Sequence, residues 1–144
     1  MDNRKHRAGY HAILQGLIDS YLDTDPASKL RNWADRAWAI DQDTEYDESC
    51  LTYIALVVLD AYKSRAHKVL LEMGCPALVA ALNETHMLPA APDSLLARGL
   101  EIVRDICGMS GARAQGTLVL GIGNDIIEIV IEKNKGLHVL MFNH

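Results

Sequence analysis

The residues best suited to chemistry form an acidic segment in the first half of the chain. Five carboxylates and no basic residue fall within eight positions: Asp41, Asp43, Glu45, Asp47 and Glu48. Alternating carboxylates are typical of a calcium loop, but an EF-hand loop needs glycine at its sixth position and glutamate at its twelfth. The chain has Tyr46 and Thr52 there. We therefore expect either a solvated connector or an electrostatic role, in which the segment attracts a basic protein surface and speeds association.

Other candidate groups do not combine into a catalytic or metal-binding set. The six histidines have no metal-ligand spacing with one another, with cysteine or with a carboxylate. Residues 108–111 (GMSG) resemble a fragment of a nucleophile elbow, but a helix precedes them, a strand follows and no His/Asp partners can be nominated. Cys50, Cys75 and Cys107 are widely spaced, so we expect reduced thiols. The sequence gives no reason to expect a catalytic centre, a metal or a cofactor.

The formal charge of -5 equals the charge of the acidic segment. Residues 1–40 carry six basic and five acidic side chains, residues 49–116 carry six of each, and residues 117–144 carry two and three, so these parts cancel. A chain without a basic stripe lacks the cations that phosphate contacts require, which argues against nucleic acid and anionic membranes as partners. The most apolar run, residues 51–59, is shorter than the roughly 20 residues that cross a bilayer. With no secretory signal, we expect a cytoplasmic protein.

Apolar periodicity predicts helices over the first three quarters of the chain. Stripes at helical spacing indicate amphipathic helices, and residues 49–63 are apolar on nearly every side, which is typical of a helix in the middle of a bundle. The predicted helices cover residues 3–23, 26–38, 49–63, 66–73, 77–82 and 93–108.

The last part of the chain has the pattern of a β-meander. The predicted strands cover residues 117–122, 126–133 and 137–142. Their connections, Gly123-Asn124-Asp125 and Asn134-Lys135-Gly136, are typical of hairpins. The final strand has no further partner in the sequence, so its edge is open unless a helix, a loop or a second copy covers it. We thus predict one α+β domain over residues 1–144, mainly helical over 1–108, with a three-stranded antiparallel meander packed on it over 117–142.

An internal repeat in the helical part resembles the armadillo family. A shift of 44 residues aligns Leu51 with Leu95, Leu56 with Leu100, and Leu59 with Val103. Residues 68–82 (KVLLEMGCPALVAAL) are similar to the short-helix, glycine and Leu-Val pattern of an armadillo repeat. The resemblance spans residues 51–107 and implies a helical scaffold that binds peptides or proteins. The loop over 83–92 and the meander depart from the family, and an irregular helical bundle is the alternative.

These observations favour a protein–protein interaction module. A compact acidic protein suits neutralisation of a basic partner, as an immunity protein or antitoxin does, with the five acidic residues 41–48 as the contact. A second hypothesis is an accessory subunit, or a small-ligand-binding or enzymatic domain. Its pocket would lie between the apolar helix 49–63 and the meander, lined by Trp38, Tyr53 and Tyr62. A third is homodimerisation through the open strand edge.

Overall fold

The computed structural model describes residues 3–37, 46–109 and 114–143, and its fold class is α+β. The described residues form four helices and six strands. The helices are α1 (Asn3–Tyr21), α2 (Pro26–Ala37), α3 (Tyr46–Lys63) and α4 (Asp93–Ile106). The strands are β1 (Ala66–Glu72), β2 (Ala77–Ala81), β3 (Thr85–Leu88), β4 (Gln115–Ile122), β5 (Asp125–Asn134) and β6 (Leu137–Asn143). None of the described helices is both long and apolar enough to cross a membrane.

The six strands form one antiparallel sheet in the order β3-β2-β1-β6-β5-β4. Two three-stranded meanders, β1–β3 and β4–β6, are joined by the pairing of β1 with β6, in which Val69 lies opposite Leu140. Helix α4 connects the first meander to the second. The C-terminal meander is thus present, but it is only half of a larger sheet. Strand β6 is paired on both sides, so the prediction of an open edge at the final strand is wrong.

The armadillo resemblance is wrong, because residues 66–82 form two strands rather than helices. Along β1 the exposed Lys68 and Glu72 alternate with the buried Val69 and Leu71, which is the period of a strand. An apolar run of five to seven residues fits either period over so short a length, so periodicity alone cannot separate the two. Gly74, at φ 78°, turns the β1–β2 hairpin instead of ending a helix. An array of helical repeats also needs stacked pairs of helices, and in this part of the chain a β-sheet is present instead.

Helix α3 lies at the centre of the core, and α4 packs closely on it. The buried residues of α3 are Cys50, Leu51, Thr52, Tyr53, Ile54, Ala55, Leu56, Val57, Val58, Leu59 and Ala61. A Cβ on Gly99 of α4 would lie 3.1 Å from the backbone oxygen of Cys50, so glycine permits the close approach of the two helices. One continuous apolar cluster joins α1–α4 to the inner faces of both meanders.

Helix α1 covers the free edge of β4. The side-chain amide of Gln15 bonds the backbone of Gly121 at both of its polar groups: Nε2 donates to the carbonyl at 2.7 Å, and Oε1 accepts from the N–H at 2.8 Å. His11 Nε2 donates to the carbonyl of Val119 at 2.8 Å. These side chains occupy the outward backbone groups near the end of β4 and hinder that end from pairing with another strand.

Candidate functional site

The outer face of the sheet, opposite the helices, carries two rows of mostly apolar side chains. Paired residues in an antiparallel sheet project to the same side, so the strand registers define each row. The Leu70 row contains Met87, Leu78, Leu70, Val139, Glu132 and Gln115. The Lys68 row contains Thr85, Ala80, Lys68, Met141, Val130 and Thr117. Each row crosses all six strands. Together the rows form a broad surface that exists only because the two meanders are joined.

Side chains of the outer face are less buried than those of the inner face. Met87 is 68% exposed, and Leu70, Val139 and Met141 at the centre are half-buried. On the inner face, by contrast, Val69 and the other central side chains are fully buried under the helices. Among residues 3–37, 46–109 and 114–143, no helix or loop buries the outer face as completely as the helices bury the inner face. The outer face, with the exposed Met87 near its edge, is therefore a candidate interaction site.

Acidic side chains lie within and beside the two rows. Glu128 and Glu132 lie on either side of Val130 along β5, and Glu72 ends β1 on the same face. Lys68 is the one basic side chain at the described outer-face positions. The outer face therefore has a mostly apolar centre that includes Lys68, and it carries more acidic than basic side chains, which favours a partner that brings basic side chains around an apolar patch.

The acidic segment of the sequence is only partly within the described residues. Asp41, Asp43 and Glu45 lie outside them, whereas Asp47 and Glu48 lie in the first turn of α3. Carboxylates at this position oppose the positive end of the helix dipole. Glu48 is exposed, whereas Asp47 is partly buried and forms an ion pair with Arg98.

Asp47 joins three helices. Its Oδ1 accepts from Arg98 Nε at 2.8 Å, and its Oδ2 accepts from Arg98 Nη2 at 3.0 Å and from the Tyr10 hydroxyl at 2.8 Å. Hydrogen bonding from Arg98 is the largest cause that lowers the pKa of Asp47 below its usual value. Arg98, which also pairs with Glu101, offsets part of the negative charge of Asp47.

A cavity of about 620 Å³ lies between the end of α3 and the start of β5, where the sequence suggested a ligand pocket. Its lining includes Tyr62, Arg65 and Asp125, and the Tyr62 hydroxyl donates to Asp125. Tyr53 lies elsewhere, buried with its hydroxyl bonded to the carbonyl of Pro89, and Trp38 is outside the described residues. Of the three predicted lining residues, Tyr62 alone is placed at this cavity.

A shallower groove of about 500 Å³ lies between α2 and the edge strand β3. Apolar side chains form most of it, and Arg31 provides a cation. The groove residues are Ala27, Arg31, Pro76, His86, Met87, Leu88 and Pro89. Sequence reasoning did not find this groove, because it missed β3 and therefore the edge beside which the groove lies.

Two histidines are bound to charged side chains inside the fold. His138 is 3% exposed and its Nε2 accepts from Arg104 at 2.7 Å, so Nδ1 carries the proton. Burial, followed by the charges of Arg104 and Lys133, lowers the pKa of His138 to about 4. His86 Nε2 donates to Asp60. In both rings Nδ1 is buried without a hydrogen-bond partner among the described residues.

The remaining reactive groups are dispersed or inert. No three histidine, cysteine or carboxylate side chains of the described residues lie close enough to share a metal ion. The cysteines are unpaired, and burial raises the pKa of Cys50 and of Cys107 to about 11, so neither thiol ionises readily.

Comparison with known proteins adds no function. The sequence matches no protein-family model, and no curated protein is significantly similar to it.

Proposed function

We propose that this chain is a protein-binding module that docks a partner on the outer face of its sheet. The observation that supports the proposal is the pair of mostly apolar rows, centred on Leu70, Val139 and Met141, which stay partly exposed while the inner face is fully buried. Covering these side chains with an apolar partner surface releases water, which is the main driving force of association.

The size of the outer face matches a modest interface. Six strands about 4.8 Å apart and two rows about 6.7 Å apart along the strands give a footprint of roughly 400 Å². A matching partner brings the total buried area to about 800 Å², below the roughly 1,000 Å² that a specific interface usually exceeds. Additional contacts at the border therefore matter for affinity.

Charge supplies those contacts. Glu132 lies at the end of the Leu70 row, Glu72 and Glu128 lie beside the rows, and Asp41, Asp43 and Glu45 add further negative charge to the chain. The proposed partner is a protein with a basic surface, and neutralisation of such a partner is the role of an immunity protein or antitoxin. The proposal places the module in the cytosol, where its three unpaired cysteines stay reduced.

A matched pair of substitutions tests the docking surface. Val139→Lys puts a charge at the centre of the outer face, and Ile13→Lys puts the same charge on α1, where Ile13 is 40% exposed. Immobilised wild-type protein and Ile13→Lys should retain the same partner from a native lysate, and Val139→Lys should lose it. Retention of that partner by folded Val139→Lys contradicts the proposal.

The cavity beside Tyr62 supports a second candidate, the binding of a small polar ligand. Lys63 and Arg65 on one side and Asp125 on the other offer groups of both signs. Free amino acids are suitable zwitterionic probes. Chemical-shift changes of the Tyr62 and Asp125 amides on titration, lost in Asp125→Asn, would support this candidate, and unchanged spectra would reject it.

A further inference from the structure

The two edges of the sheet differ in how they are covered. At β4, Gln15 and His11 bond three outward backbone groups: the N–H and C=O of Gly121 and the C=O of Val119. At β3, the N–H of Ala81 donates to the carbonyl of Glu84 at 2.9 Å, so these two residues form a hydrogen-bonded pair. Hydrogen-bonded and non-hydrogen-bonded pairs alternate along antiparallel strands. His86 and Leu88 therefore direct their backbone N–H and C=O groups towards β2. Thr85 and Met87 therefore direct their N–H and C=O groups away from the sheet.

These outward groups are free to pair with another strand. Within the described part of the chain, no residue hydrogen-bonds the outward N–H or C=O of Thr85 or Met87. Met87 is 68% exposed, and Leu82 in the preceding turn is 89% exposed. An uncovered edge flanked by exposed apolar side chains is a template for strand addition.

A second copy of β3 fits this edge in one register. A two-fold axis beside His86 places Thr85 opposite Met87 of the second copy, and the reverse, so all the outward groups pair and four hydrogen bonds form. An axis beside Met87 would place Thr85 opposite Pro89, which has no N–H. An axis beside Thr85 would place Met87 opposite residue 83, which lies in the turn before β3.

The same register brings opposite charges together. Glu84 lies opposite Leu88 of the second copy and projects to the inner side of the sheet, where the groove between α2 and β3 carries Arg31. Glu84 and Arg31 are both exposed, and neither forms an ion pair with a described residue. The two-fold axis repeats the contact, so each copy supplies one Glu84 and one Arg31.

We propose that two copies of this chain join edge to edge through β3 into a continuous twelve-stranded sheet, with Glu84 of each copy paired to Arg31 of the other. The contact is short, so the dimer is weak and forms as concentration rises. It leaves the outer faces open and sets them side by side, and it does not depend on the proposed docking function.

A charge swap tests the pairing directly. In sedimentation and light-scattering measurements over increasing concentration, the wild-type mass should rise from 15.9 kDa towards twice that value. Glu84→Arg and Arg31→Glu should each stay monomeric, because both put like charges in contact. The double variant Glu84→Arg/Arg31→Glu should dimerise again. Asp105→Arg, a reversal on the exposed side of α4, is the matched control and should dimerise as the wild type does.

The backbone is tested by Met87→Pro, which removes an outward N–H that no described residue uses and is tolerated on an edge strand. This variant should keep its circular dichroism spectrum and stay monomeric. Val139→Lys, on the outer face, should still dimerise. A wild-type chain that stays at 15.9 kDa, a charge swap that does not restore the dimer, or a Met87→Pro dimer overturns the proposal. A monomeric Val139→Lys also overturns it, because the dimer would then use the outer face.

Discussion

Asp47 and Arg98 form a two-point ion pair that fastens the beginning of α3 to the middle of α4. The two residues are 51 positions apart, and Tyr10 of α1 donates a third hydrogen bond to the same carboxylate. Asp47, which the sequence assigned to partner binding, also forms a structural contact between three helices.

Removing this contact should loosen the helices. Arg98→Ala leaves Asp47 without its cation, and because both side chains are about one-third exposed we expect a loss of about 1 kcal/mol in the free energy of unfolding at pH 7. The matched control is Glu101→Gln, which removes the more exposed carboxylate beside Arg98 and should cost less. Urea denaturation measures both, and an equal loss in the two variants contradicts the assignment.

The same pair predicts a pH dependence. The pKa of Asp47 is lowered in the folded state, so its contribution is present above the unfolded pKa and is lost as the pH falls through the folded value. The wild type should therefore lose stability as the pH falls, whereas Asp47→Asn, which lacks this carboxylate, should not lose that contribution. Denaturation curves should show the wild type as the more stable protein at neutral pH, and the difference in free energy of unfolding should shrink as the pH falls below 3.8. A difference that is constant with pH contradicts the prediction.

His138 predicts a second acid-sensitive step at milder pH. Its pKa is about 4 in the folded protein against 6.5 for a free imidazole, so the unfolded chain binds the proton first as the pH falls. Stability should decline from about pH 6.5 and the loss should be complete below pH 4, by up to ~3 kcal/mol. His138→Leu should flatten this part of the profile, whereas His67→Gln, an exposed control, should not. An unchanged profile in His138→Leu rejects the prediction.

Gln15 should protect the edge of β4. Gln15→Ala removes two hydrogen bonds to Gly121, and we expect a cost of about 1–2 kcal/mol together with slow association of the exposed edges. Asn32→Ala, an exposed amide on α2, is the matched control and should be nearly neutral. Denaturant titration and time-dependent light scattering measure the two effects, and a neutral Gln15→Ala contradicts the role.

Substitution by alanine should change the stability of the protein in opposite directions at two glycines. A Cβ on Gly116 would lie 2.5 Å from Met109 Cγ and 2.8 Å from Cys107 Cβ, so Gly116→Ala should destabilise by roughly 1–3 kcal/mol. A Cβ on Gly16 of α1 would meet nothing within 4 Å, so Gly16→Ala should stabilise by about 0.5–1 kcal/mol. Thermal unfolding should move the two melting temperatures apart; a shift in the same direction contradicts the packing described.

The acidic segment itself is tested by neutralising Asp41, Asp43 and Glu45 while Asp47 is kept, because Asp47 holds the helices together. If the segment steers a basic partner, association should slow and lose much of its salt dependence, with little change in dissociation. Stopped-flow or surface-based kinetics with the captured partner measure this. Unchanged association rates would leave the segment as a connector.

Local patterns were enough to predict α3 and the C-terminal hairpins. The run 49–63 is too long and too apolar for anything but a buried helix, and the turn residues at 123–125 and 134–136 specify hairpins by their own backbone preferences. Over residues 66–82 the signal was ambiguous, because short apolar runs satisfy both periods. There the result depended on long-range strand partners that one segment does not reveal.

By itself the sequence determined the helix–strand class, the alternation within β4–β6 and the position of its net charge, because each depends on neighbours along the chain. Tertiary structure decided the rest. Pairing of β1 with β6, about 70 residues away, created the outer face. Helix α1 covered part of the β4 edge while β3 stayed open, and Arg98 paired with Asp47 across two helices. These are contacts between distant residues, and their energies appear only once the chain has folded.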